Sequence, residues 1–247
     1  GFASSKSKDN HINLAPFSFH NAFSSNPPTV GISPAFSGRT GKTKNTLTNI
    51  LDTKEFTLSV VTYDMVEQMN ICAADYPSKI DEFEKSGFTQ YPSVIISVPG
   101  VKESPLIMEC KFTQHIQFSK EPAGGNLLLG EVVHFHAKEE VFNDSGKIDP
   151  AKVDQVARLG MNWYSRANQG LFELAPPRHI PIGVDNLPEE VKNSHHFTGK
   201  LLARLASVEE IPKEEKIEDL ISTYSRLSTE DMLKICAVLV EQGRIME

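Results

Sequence analysis

The clearest chemical signal in this 247-residue chain lies between Ser37 and Thr46, in the run Ser-Gly-Arg-Thr-Gly-Lys-Thr-Lys-Asn-Thr. It supplies Arg39, Lys42 and Lys44 without an acidic residue, and hydroxyls at Ser37, Thr40, Thr43 and Thr46. Asn45 to Leu51 reads as a short helix, so the basic loop runs into a helix N-terminus, where free N–H groups and the helix dipole favour an anion. Charge from Lys44 or Arg39, with neutral donors from Thr46 and the backbone, suits a phosphate monoester. Gly41-Lys42-Thr43 imitates the end of a nucleotide-hydrolysing loop. That pattern, G-x-x-x-x-G-K-[ST], needs glycine at the position held by Phe36. A solvated basic loop without a ligand is the plain alternative.

A second feature is Asn13-Leu-Ala-Pro-Phe-Ser18. Its polar ends flank a proline-stiffened apolar segment, leaving backbone donors and acceptors beside a flat apolar surface. Such an edge suits the polar rim of a ring like isoalloxazine, and an ordinary bend in a strand fits the same residues. His134 and His136 share one face of a strand and can reach a common metal or a nicotinamide, but the sequence places no third ligand, so no metal is expected. His179 and His195-His196 sit in loop-like contexts and read as surface or interface residues. Asp64, Glu109 and Glu131 fix no separation of the kind a two-carboxylate hydrolase needs. Cys110 alternates with apolar neighbours and reads as core.

The elements that must position these groups are mostly strands. A strand at 2–6, a turn at Asp9-Asn10 and a return through His11 to Leu14 form a hairpin. Phe17 and Phe19 alternate with Ser18 and His20 as a half-buried strand, and Pro27-Pro28 precedes another at Thr29 to Ser33. Strands follow at Glu55 to Thr62, Val94 to Ser97, Leu106 to Phe118 and Leu127 to His136. In the second last of these, Glu109, Lys111 and Thr113 interleave with Met108, Cys110 and Phe112, the period of a sheet with unlike faces. Asp64 is placed as the cap of a helix reaching about Ala74, with Met65, Met69 and Cys72 on one side. A shorter helix in 75–88 stops at Gly87. From about 150, helices alternate with loops containing Pro176-Pro177, Pro181, Pro188 and Pro212. Ser228-Thr-Glu-Asp231 opens a last helix whose Met232, Ile235, Cys236 and Leu239 share one face. Many antiparallel strands with few intervening helices imply a closed barrel, not a layered βαβ sheet.

Composition bounds the class. An apolar fraction of 39% with 14 Phe supports a real core, and a net charge of −7 argues against a nucleic-acid binder. Three scattered cysteines without a disulfide spacing fit a reducing, cytoplasmic setting, and no apolar run approaches a membrane span. The chain opens at Gly1 already reading as strand, so residues upstream, a signal peptide included, stay open.

The ordered series Asn13-Leu-Ala-Pro-Phe-Ser-Phe19, Asn26-Pro-Pro28, Lys44-Asn-Thr-Leu-Thr-Asn-Ile50 and Glu55-Phe56 resembles the flavin-reductase-like, FMN-binding split-barrel family. So do Asp81-Glu-Phe83 with Ser86-Gly87, Glu103-Ser-Pro105, Glu109-Cys110, Leu129-Gly-Glu-Val132 and Arg158-Leu-Gly160 with Tyr164. The likeness spans about residues 1–170. Gly183 to Pro188, Ser194 and Thr198-Gly199 resemble a C-terminal extension of one branch, carrying it to about 212. The resemblance implies a mainly β fold, a six-stranded Greek-key split barrel with peripheral helices (1–170), and an extension of loops and helices (171–247) packed on the barrel or a partner subunit. It implies FMN as cofactor near the interface of a homodimer, and hydride transfer from NAD(P)H to FMN; an electron-transfer protein or a non-catalytic flavin-binding module is the alternative. A monooxygenase or another electron acceptor is the implied partner. Lys44 and Thr46 match the phosphate-holding residues, with Arg39, Asn45 and Asn49 beside them. Asn13, Leu14, Ala15, Pro16, Phe17 and Ser18 match the strand along the isoalloxazine. Arg158 and Tyr164 match a pair on the flavin or substrate side, and no residue is assigned as catalytic because the chemistry is the flavin's. The family often has Asp where this chain has Asn45, which raises the local positive potential.

Overall fold

The computed structural model describes residues 1–210 and 227–243, and its contacts divide the chain into two units, Gly1–Phe172 and Glu173–Glu247. In the first, the expected hairpin forms as β1 (Phe2–Lys6) and β2 (Ile12–Pro16), turned with Asn10 at φ 68°. The strand expected at 17–20 does not form. Phe17 to Phe19 make a bend, and β3 (His20–Ser25) starts only afterwards and is exposed along its whole length. β4 (Pro28–Ile32) returns beside it, and helix α1 (Asn45–Thr53) leads into β5 (Glu55–Ser59). A 3₁₀ turn, Tyr63–Met65, precedes α2 (Val66–Ile71), so Asp64 lies inside that turn and is not a cap; Met65, Met69 and Cys72 are buried as expected. α3 (Glu82–Ser86) is capped by the Asp81 carboxylate and ends at Gly87, whose φ of 74° suits glycine. Two short pieces, β6 (Gln90–Tyr91) and β7 (Gly100–Val101), pair with each other. The long strands β8 (Leu106–Gln117) and β9 (Asn126–Ala137) follow, then α4 (Pro150–Val153) and the hairpin β10 (Val156–Gly160) and β11 (Trp163–Arg166).

Seven strands form one antiparallel sheet in the order β2-β1-β5-β8-β9-β4-β3, one strand more than the six expected. Its two edges are consecutive in sequence. Laid flat, they would stand six strand spacings, about 29 Å, apart, whereas the four residue steps from Pro16 to His20 reach at most about 14 Å. The sheet therefore curls until its edges approach. Register shifts between Glu109 and Cys110 and between Phe112 and Gln114 assist by coiling β8 against β9. The buried Phe56 ring crosses the inner face so closely that a Cβ on Gly130 would lie 2.5 Å from it. Inside sit Ala3, Ile32, Leu47, Ile50, Phe56 and Leu128; a second cluster holds Phe2, Leu14, Met65, Met69, Cys72 and Phe83.

The bulge also undoes the simple alternation read along β8, because Glu109 and Cys110 are both fully buried. Glu109 explains why 94–97 is not a strand. Its Oε1 accepts from the Val94 N–H (2.7 Å) and faces His136 Nε2 (2.6 Å), while Oε2 accepts from Ile95 (2.8 Å) and Ile96 (3.1 Å). The N–H groups that a strand would give to a neighbour go to one carboxylate. Glu55 adds a second anchor by accepting from the Ser97 N–H and hydroxyl.

The second unit contains α5 (Glu189–Lys192), α6 (Gly199–Leu205) and α7 (Thr229–Glu241). The Ser228 hydroxyl accepts from the Asp231 N–H, as the capping box implies. In α7, Ala237 and Val240 are buried and Leu233 half-buried, packed with Phe197 and Leu201. Met232 and Cys236 of the expected face are exposed, because the contact with α6 selects the neighbouring stripe. Pro212 lies outside the described residues. No helix among the described residues is long and apolar enough to cross a membrane.

Burial pushes the Glu109 carboxyl up, but its three N–H bonds and His136 outweigh that and hold its pKa below the ordinary value. A depressed pKa stabilises the fold above the unfolded value, about 4.3, and the benefit is lost as pH falls through the folded one. Glu109→Gln should cost about 1–3 kcal/mol in denaturant unfolding at pH 7, with the gap to wild type shrinking below about pH 4; a gap that stays constant across that range contradicts this role.

Candidate functional site

Helix α1 begins at Asn45 with Lys44 in the cap position, and no side chain caps it. No acidic residue lies in its first turn, so the opening N–H groups and the dipole are left for an anion. The helix is seated on the β1–β2 hairpin by Leu47 and Ile50 and by two buried side-chain bonds. Asn13 Nδ2 donates to Thr46 Oγ1 (3.0 Å), and Asn49 Nδ2 donates to Ser5 Oγ (3.2 Å). Thr46 is 1% exposed, and its oxygen accepts from Asn13, so its own proton is free for an acceptor in the adjoining cleft.

That cleft has a volume of about 820 Å³, in the usual range for a small-molecule site. Asn13, Ala15, Pro16, Phe17 and Ser18 line it from β2 and the following bend. Arg39, Lys44, Asn45 and Thr46 line it from the loop and α1. The structure thus brings the two sequence features into one site. The polar loop itself is folded, with the Ser37 N–H donating to Lys42 O and the Gly41 N–H to Ser37 O.

Two expected residues fall outside the lining. Leu14 is fully buried with its side chain in the core, and its N–H donates to Glu82 Oε2 (3.0 Å). Asn49 is buried and turned to β1, where it supports α1. The strand's two-residue alternation accounts for the first: Asn13 and Ala15 face the cleft, and Leu14 faces inward.

Arg158 and Tyr164 are directly opposite in the β10–β11 register, and both line the cleft. The Arg158 guanidinium lies 5.9 Å from the Tyr164 ring centroid and donates to Met161 O. The hairpin is fastened by Arg166, which grips the Asp154 carboxylate through two nitrogens (2.8 and 2.6 Å) and lies 4.2 Å from the Tyr63 ring.

Sequence reasoning did not single out the segment 73–78 or Glu82, which also line the cleft. Asp75 pairs with Lys44, and Asn45 Nδ2 donates to Tyr76 O (3.2 Å). The Lys44 bond, with Arg39 nearby, holds the Asp75 carboxyl below its ordinary pKa. Burial pushes Glu82 up, opposed by the Leu14 N–H. Burial also pushes the Cys72 thiol up to about 11, and the Cys110 thiol upward as well, so neither presents a thiolate near neutral pH. The histidine pair does acquire a third partner that the sequence did not place: Glu109, His134 and His136 lie together, the two rings 4.6 Å apart. Glu109 is already taken up by three N–H groups and His136, which makes it an anchor of the 94–96 segment.

Residues 2–164 match the family model described as a flavin reductase like domain. The chain belongs to the flavin reductase-like family. An uncharacterized protein of Halalkalibacterium halodurans is 37% identical over 181 residues, covering 71% of this chain and 84% of that one. The crystal structure of nitrilotriacetate monooxygenase component B from Bacillus cereus superposes with a TM-score of 0.65 at 31% identity, covering 70% of this flavin reductase-like chain and 85% of that one. The crystal structure of a "putative flavin reductase with split barrel domain" from Shewanella frigidimarina gives a TM-score of 0.62 at 25% identity, covering 71% and 84%. The curled sheet of this flavin reductase-like protein is a split barrel with its helices at the periphery.

Proposed function

We propose that this protein binds FMN in the cleft and is an oxidoreductase that transfers hydride from NAD(P)H to it. Family membership supports the coarser part, a flavin-related oxidoreductase. The observation that carries FMN binding is the start of α1, uncapped and without an acidic residue in its first turn, with Lys44, Arg39 and Thr46 around it, opening onto the same cleft as Asn13 to Ser18.

The residues present fit the group. Lys44 and Arg39 supply charge, and Thr46 and the first-turn N–H groups supply neutral donors, for a phosphate monoester. The edge from Asn13 to Ser18, with Leu14 fixed inward by Glu82, gives a stiff polar rim for a planar ring. When bound, FMN supplies the two-electron chemistry, with NAD(P)H as reductant. The chain's own part is to bind and orient. Arg158 and Tyr164 stand at the β10–β11 side of the cleft, placed to steer the ring or an incoming nicotinamide.

We place the flavin near the interface of a homodimer. Supporting this, the hairpin that bears Arg158 and Tyr164 exposes Leu159, Met161 and Trp163, and the edge strand β3 with its preceding bend exposes Phe19 and Phe23. A monooxygenase or another acceptor of flavin electrons is the proposed partner, by analogy with the Bacillus cereus neighbour, itself a component of a monooxygenase. Three unpaired cysteines suit a reducing compartment, and the cytoplasm is the location proposed.

Lys44→Ala should weaken FMN by about ten- to a hundredfold, the value of a charge-assisted bond to phosphate, and riboflavin by much less in the same fluorescence titration. Equal weakening of both removes Lys44 from the phosphate. In stopped flow, NADH or NADPH should bleach the oxidised flavin band of the FMN-loaded protein. Absence of bleaching with either nucleotide rejects the reductase reading in favour of an electron carrier or a binding module.

A further inference from the structure

Two carboxylates line the cleft, and they are placed very differently. Glu82 is buried and committed to the Leu14 N–H. Asp75 is half exposed and bonded to the Lys44 ammonium, the same group that the FMN reading assigns to the phosphate. Both partners keep access to water, with side-chain exposures of 37% for Lys44 and 51% for Asp75, so their pairing is easily broken. The segment carrying Asp75 has a second tie one residue on, where the Tyr76 carbonyl accepts from Asn45 at the first position of α1. That tie keeps the segment across the start of the helix whichever partner Lys44 takes. An ammonium has three donors, but an acidic side chain at hydrogen-bond range also repels a phosphate dianion seeking the same cation.

We propose that Asp75 sets how firmly this site retains a phosphate-bearing flavin: its carboxylate holds Lys44 until the phosphate monoester of FMN takes its place. The proposal rests on the FMN reading above and deepens it. Binding is then an exchange of one anion for another at a fixed cation. The gain from the phosphate is reduced by the ion pair it breaks and by the repulsion of the displaced carboxylate. The site is thereby weighted toward a flavin that comes and goes, as a substrate does, while riboflavin, which has no phosphate, is indifferent to Asp75.

The test is fluorescence titration of FMN and riboflavin against wild type, Asp75→Asn, Asp75→Ala, Lys44→Ala and Lys44→Ala/Asp75→Asn. Both Asp75 variants should bind FMN about fivefold more tightly, the scale of an exposed ion pair, release it more slowly, and bind riboflavin as wild type does. Relative to Lys44→Ala alone, the gain in the double variant should shrink to what the carboxylate's direct repulsion of the phosphate supplies. Unchanged or weaker FMN binding, or an equal change for riboflavin, overturns the proposal and makes Asp75 a ribityl or ring contact or a bystander. A gain of undiminished size without Lys44 also overturns it, since the carboxylate would then act only at a distance and not through the ion pair. Wild type that binds neither flavin overturns the FMN reading itself, a result distinct from all of these.

Discussion

The short bend between Pro16 and His20 joins opposite edges of a seven-stranded sheet, and that constraint organises the rest of the first unit. With so few residues to cross on, the sheet has to roll up, and the first hairpin comes to lie beside the end of its own sheet. Helix α1 then docks on that hairpin through Leu47, Ile50 and the Asn13–Thr46 and Asn49–Ser5 bonds. The Asn13–Ser18 edge and the start of α1 are thus fixed to each other by buried contacts before any ligand arrives. Preorganisation of this sort reduces the ordering cost of binding.

Buried carboxylates serve as braces. Glu109 gathers three consecutive N–H groups that no strand pairs, and Glu82 takes the N–H of Leu14 at the edge of the cleft. Each buried carboxylate is satisfied by backbone donors, which is what makes its burial tolerable. Both brace segments that would otherwise leave unpaired amides: the 94–96 segment in one case, the edge strand β2 in the other. The site's exposed groups, Lys44 and Asp75, are of the opposite kind, weakly held and able to exchange partners.

Much of this was legible in the residues. Turn chemistry at Asn10, Gly87 and Ser228 marked real turns and caps, and the run of basic and hydroxyl side chains does lead into a helix start at α1. What escaped had physical causes. Phe17 and Phe19 alternate like a strand, but here the chain is spent on crossing between edges. Val94 to Ser97 has the composition of a strand, but Val94 to Ile96 are claimed by Glu109, 13 to 15 residues away in sequence, and Ser97 by Glu55. Leu14 and Asn49 sit in motifs that line the cleft while themselves facing the core and β1, a matter of strand and helix phase. Asp75 gave no signal, since only the fold brings it to Lys44.

The central claim is that one cleft holds the phosphate of FMN at the start of α1 and the ring along Asn13 to Ser18. A crystal structure of the FMN complex tests it most directly. The phosphate should lie within hydrogen-bond reach of Lys44 Nζ, Thr46 Oγ1 and the first N–H groups of α1, with the isoalloxazine against the Asn13–Ser18 edge near a two-fold interface. Flavin bound elsewhere, or in the cleft with its phosphate turned away from Lys44, would contradict the account.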